Sequence, residues 1–177
     1  GGLFAVLTAF PFLFIENMGV PTEAYGYYYA TIVLAFFFGS LLVNRAAGRI
    51  ASDPLLALGL IVSILGEIAF TALLILDLAG PVSISATQCA FAFGLGLIFA
   101  TAPVRAFDVC RAGHGYAAAM LGALPMAGGG LGTFCIALFH NGSAWPSAII
   151  LTISTVFAGL LYLVVRPWRI KVGAASP

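Results

Sequence analysis

The stretch GSLLVNRAAGRIASDP, residues 39–54, decides how the rest of the chain is read. A long apolar run ends within it, Arg45 and Arg49 follow, and Asp53-Pro54 begins the next apolar run. Asp53 is suited to cap a helix N-terminus through its carboxylate, and Pro54 to the first helical position, where no N–H is needed. The stretch therefore reads as a tight basic turn between two very hydrophobic helices. In a chain that crosses a membrane, such a turn marks the cytoplasmic side.

Composition agrees with that reading. Of the 177 residues 62% are hydrophobic and 7% charged, with a mean hydropathy of +1.13. A soluble domain carries roughly 25% charged residues, so most of this surface must face a lipid bilayer. A helical span takes about 20 apolar residues, which leaves room for about six spans with short turns. The alternating strands of a membrane barrel are absent, and the expected class is all-α, with six transmembrane helices. Spans are expected at about 1–17, 24–44, 54–76, 81–102, 114–139 and 144–165. The net charge of +1 offers no basic patch for nucleic acid. Cys89, Cys110 and Cys135 are scattered, with no C-x-x-C spacing and no His cluster, so they read as reduced, small apolar residues. No metal or cofactor site is expected.

The chain does not open on Met, and its first apolar run, Gly1 to Ile15, has no basic flank. It lacks the charged n-region and small-residue cleavage site of a signal peptide. The expectation is a fragment that starts inside a helix, with Pro11 as a kink. Phe4, Thr8, Phe12 and Glu16 then share one stripe, since residues four apart lie on one helical face. The second segment opens with Tyr25, Tyr27, Tyr28 and Tyr29, which fit a membrane-interface belt better than a stacking site for an aromatic ligand.

The third segment holds the one acid at mid-span, Glu67. With Gly59, Ser63 and Thr71 it forms a small and polar stripe that should face other helices, because a carboxyl turned to lipid is costly. Ser63 or Thr71 is expected beside it, with the carboxyl protonated or hydrogen-bonded. Pro81 restarts the helix after the turn at Asp77. The fourth segment carries Ser85 and Gln88 on one side, with Phe91 and Phe99 nearby, and Gly94 and Gly96 permit close approach or a bend. Residues 103–113 read as a second basic turn. In the fifth segment Gly122, Gly128, Gly129, Gly130 and Gly132 crowd around Pro125, beside a small stripe of Ala119, Ala123 and Ala127. Packing and a functional hinge both account for such a run. The sixth segment opens at Trp145-Pro146 and ends at Arg166-Pro167, before a basic tail. Asn141-Gly142-Ser143 fits a glycosylation sequon but sits against the membrane, and it is discounted.

All seven basic residues fall at Arg45 and Arg49, at Arg105 and Arg111, and in the tail with Arg166, Arg169 and Lys171. The three intervening turns hold none. By the positive-inside rule both chain ends are cytoplasmic.

The pattern G-S-L-L-x-x-R-x-x-x-R over Gly39, Arg45 and Arg49 resembles the loop between the second and third helices of a major facilitator half. The opening FPFLFIENMGVPTEAYGYYYA and the run RAGHGYAAAMLGALPMAGGGLG are similar to the seventh and eleventh helices of the bicyclomycin/chloramphenicol-resistance branch of drug:proton antiporters. The resemblance covers nearly the whole chain and implies helices seven to twelve of a twelve-helix fold, two three-helix repeats, with the N-terminal six-helix half as partner. One departure is Val43-Asn44-Arg45, where the superfamily often has an Asp before the arginine, so no acid is there for a gating contact. The implied function is proton-driven efflux of small, partly apolar compounds across a bacterial inner membrane, by alternating access. Its substrate-cavity candidates are Phe4, Thr8, Phe12, Tyr28, Gln88, Phe91 and Met126. The resemblance puts the third segment at the periphery and favours structural pairing over proton coupling for Glu67, although an intramembrane acid is by default functional.

Three other readings remain. An uptake permease of the same fold for charged solutes would want a charged group at mid-span in the cavity helices, and segments one, two, four and five have none. An intramembrane serine protease would need a Ser in a Gly-rich turn with a His in reach. His114 and His140 fall at opposite helix ends, and no G-x-S-x-G occurs. A non-transporting scaffold subunit has no feature in its favour.

The topology is testable by labelling single cysteines in a background without the native ones. Ser52→Cys should react only from the cytoplasmic side, and Ala79→Cys and Gly142→Cys only from the opposite side. Labelling of Ser52→Cys from outside would overturn the topology.

Overall fold

A computed structural model describes residues 10–109, 114–139 and 145–173. Phe4, Thr8, Cys110, Arg111, His140 and the Asn141-Gly142-Ser143 sequon lie outside the described residues. The described chain is all-helical: α1 (Phe12–Asn17, a π-helical segment), α2 (Thr22–Ala46), α3 (Ser52–Ile75), α4 (Pro81–Val109), α5 (His114–Leu138) and α6 (Trp145–Gly173). Five of these, α2 to α6, are long and apolar enough to cross a membrane.

The π-helical segment follows directly on Pro11, whose missing N–H frees the local hydrogen-bond register. It closes at Gly19, which takes a positive φ of 64° while the Val20 N–H donates to the Phe14 carbonyl at 2.9 Å. Phe14 then packs on Tyr28 and Tyr25, with ring centroids 5.5 and 5.9 Å away.

The basic turn is shorter than the sequence implies. Helix α2 runs through Gly39 and Arg45 to Ala46, Gly48 adopts φ 80°, and α3 begins at Ser52. Asp53 does not cap α3, and Pro54 is its third residue rather than its first. The Asp53 carboxylate instead meets Arg105 at the far end of α4, at 2.7 Å. That pairing goes with a second departure. Residues 103–109 are helical, not a turn, since Pro103 forfeits one backbone hydrogen bond without ending α4. Only the extended α4 brings Arg105 level with the start of α3. Helix α6 likewise continues past Arg166-Pro167 to Gly173.

Helix α4 is the centre of the molecule, packed against α3 on one side and α2 on the other. Both contacts are backbone to backbone. A Cβ at Gly39 of α2 would strike the Phe93 carbonyl of α4, and one at Gly96 of α4 would strike the Phe36 carbonyl of α2. On the α3 side a Cβ at Gly59 would come within 2.8 Å of the Gly94 carbonyl, and one at Gly66 within 2.8 Å of the Phe91 nitrogen. Small residues let helix backbones approach this closely, where dispersion and weak polar contacts replace the hydrophobic drive that lipid removes. Two hydroxyls reinforce the fit: Ser40 donates to the Gly96 carbonyl at 3.2 Å and Ser63 to the Phe91 carbonyl at 3.3 Å. Helix α6 packs on the outer side of α3, with Gly159 against Ile64 and the Thr71 and Thr152 hydroxyls 2.9 Å apart. Helix α5 touches α4 and α6 only lightly.

These contacts separate two kinds of glycine. Gly96→Ala forces a methyl into backbone and should destabilise the bundle by about 1–3 kcal/mol, as overpacking does. Gly26→Ala, with nothing within 4 Å of its Cβ, should be neutral or slightly stabilising, because Ala is the better helix former. Thermal unfolding in detergent reads the difference, and equal melting temperatures would refute the packing scheme.

Candidate functional site

Glu67 lies in the middle of α3, and its four-residue spacing from Ser63 and Gly59 points it at α4. It is fully buried, as is Gln88 on the facing side of α4. The Gln88 carboxamide is set beside the Glu67 carboxyl. Yet neither oxygen of Glu67 nor either polar atom of Gln88 completes a hydrogen bond among the described residues, and the same holds for the Ser85 hydroxyl one turn away on α4. Four of these unpartnered polar atoms, those of Glu67 and Gln88, thus meet between α3 and α4 in the apolar interior.

The expected neighbours of Glu67 are otherwise engaged. Ser63 spends its hydroxyl on the Phe91 carbonyl and Thr71 on Thr152. Pairing within α3 therefore gives way to a pair across helices, Glu67 with Gln88. An isolated ionised carboxyl here would be far more costly than a neutral one.

The cavity candidates do not converge. Gln88 and Phe91 are closed in by α3, so neither lines an open cavity within this chain; the glycine contacts that draw the two helices together leave no room for one. Tyr28, on α2, is half-buried against Phe14. Met126 on α5 is 62% exposed. Only the backbone of Phe12 is described. Of the loop-motif residues, Arg45 and Arg49 are exposed at the α2–α3 turn, whereas Gly39 is buried in the α2–α4 contact. In α5, Gly129 is buried, Gly128, Gly132 and Pro125 are half-buried, and Gly122 has open space around it.

The Asp53–Arg105 pair was legible only as separate charges. Nothing in the sequence joins a residue at the start of one apolar run to one placed in a supposed turn far along the chain. The Tyr162 hydroxyl also reaches the Asp53 carbonyl, at 3.5 Å, so α3, α4 and α6 meet at this end. Among the described residues no group of His, Cys, Asp and Glu could hold a metal ion.

No protein-family model matches the chain, and no solved structure matches it. The chain is similar to a protein of Haemophilus influenzae named Bicyclomycin resistance protein homolog, with 25% identity over 175 residues. The match takes in 97% of this chain and 43% of that relative, so the chain spans less than half the relative's length. The resemblance drawn from the turn, opening and glycine-rich motifs is to that same branch, and the match bears it out. Taken with the five apolar spans, it marks an integral membrane protein.

Proposed function

We propose that the chain is the C-terminal six-helix half of a major facilitator transporter that exports small, partly apolar compounds in exchange for protons. The observation that carries this reading is the extent of the match. Nearly the whole of this chain aligns with under half of a relative named for bicyclomycin resistance, the proportion expected of one half of a two-part transporter. Substrate would sit between this half and a preceding six-helix half, and both chain ends would face the cytoplasm.

Helix α5 fits the role of a helix completed by that other half. Leu124, Met126, Leu131 and Phe134 are exposed on it, and Gly122 and Gly130 have nothing within 4 Å of a Cβ. Pro125 lies inside the helix and removes one backbone hydrogen bond, which makes a bend inexpensive. Alternating access then amounts to two packings of the halves, with substrate and proton shifting the balance between them. Helices α2, α4 and α5 hold no charged side chain at mid-span, so a substrate held there is recognised by aromatic and apolar contact.

The first test is export itself. The full-length protein, expressed in a pump-deficient bacterium, should raise resistance to bicyclomycin several-fold, and a protonophore should abolish bicyclomycin efflux. Unchanged susceptibility at good expression would overturn the reading.

The second concerns the bend. Gly128→Leu and Gly129→Leu should leave expression and bicyclomycin binding intact while export is lost, because bulk in a small-residue face blocks one of the two packings. Normal export by both variants would reduce the glycine run to ordinary packing.

A further inference from the structure

We infer that Glu67, together with Gln88, forms a membrane-embedded proton-binding site between α3 and α4, separate from the substrate path. The inference deepens the export reading and rests on it only for the link between this proton and transport.

Two observations converge. Glu67 is 0% exposed and has no fixed hydrogen bond, although two hydroxyl-bearing residues flank it one turn away on its own helix. A carboxyl kept for structure would be expected to use Ser63 or Thr71, and both are bonded elsewhere. The partner it does have is also 0% exposed and unsatisfied. A carboxamide suits both states of an acid: its oxygen accepts from a protonated carboxyl, and its NH2 donates to a carboxylate.

Among the described side chains no fixed charge holds the acid in either state, and Glu16 of α1 is described by its backbone alone. Helix α3 carries its other acid in its first turn, Asp53, and Asp77 follows its far end. Helix α4 presents Ser85 and Gln88 at this level, with its charges Arg105 and Asp108 beyond Pro103. Helix α6 contributes Thr152 and Thr155 and has no charged residue before Arg166. Helix α5 has no Asp, Glu, Lys or Arg, and α2 has Glu23 and Arg45 only near its ends. The dry packing of α3 on α4 therefore favours the neutral carboxyl. Loss of the proton requires Gln88 to turn, or the helices to part and admit water. Either change ties the proton to a rearrangement of α3 on α4.

The test uses full-length protein in lipid nanodiscs and proteoliposomes. Infrared difference spectra on raising the pH should show a protonated-carboxyl band that disappears, that is missing in Glu67→Gln and that is shifted in Gln88→Leu. Glu67→Gln should still exchange bicyclomycin across the membrane but lose accumulation driven by an imposed proton gradient. Glu67→Asp, which keeps a carboxyl, should retain part of it and covers the case in which the Gln variant folds poorly. A Glu67 band unchanged from acid to alkaline pH, or gradient-driven accumulation at the wild-type level in Glu67→Gln, would overturn the site. If wild-type protein moves no bicyclomycin, the export reading falls, while the titration of the Glu67 band still decides the proton site.

Discussion

Close contact between backbones holds this molecule together. Gly39 and Gly96 join α2 to α4, and Gly59, Gly94 and Gly66 join α3 to α4. In lipid an apolar side chain gains little by leaving one apolar neighbour for another, so leucine-rich surfaces alone cannot select a partner. Glycine contacts can, because they work at one register only. A shift by one residue along α4 would set Phe93 or Leu95 against a helix built to meet no side chain.

That register explains the polar interior. The spacing that sets Gly59 against Gly94 also brings Ser63 to the Phe91 carbonyl and Glu67 to Gln88, one step further along the same antiparallel pair. The hydroxyl finds a backbone partner, whereas the longer side chains do not settle into one. At the end of the pair, beyond Gly59, Asp53 meets Arg105. One interface thus carries the packing, an ion pair at its edge and an acid at its middle.

Much of this was legible in the residues. Apolar runs of about 20 residues, the turn at Arg45 and Arg49 and the restart at Pro81 made the helices readable, because span length and helix punctuation are local properties. The stripe of Gly59, Ser63 and Glu67 showed which face of α3 turns inward. Contacts between helices were not legible. Gln88 reads as a cavity residue, and only the α3–α4 register sets it beside Glu67. Pro103 looked like a helix end because it is a breaker by local rules, but an ion pair to a residue 52 positions earlier lies beyond it. The glycines of α5 drew attention by their number, yet the backbone-to-backbone contacts described above are made by scattered ones in α2, α3 and α4.

The central sandwich of α2, α4 and α3 uses helices that are consecutive in the chain, with no later segment needed to complete it. Its tightest contacts close loops of a few tens of residues, a modest entropic cost. The core can therefore assemble while α5 and α6 are still being synthesised, in keeping with the general tendency of chains to fold from the N-terminal side during synthesis. Helix α6 then docks on a finished α3 surface. Helix α5, with few partners among the described residues, is left as the last element to be fixed in place, so its position is the one most open to adjustment after the rest has set.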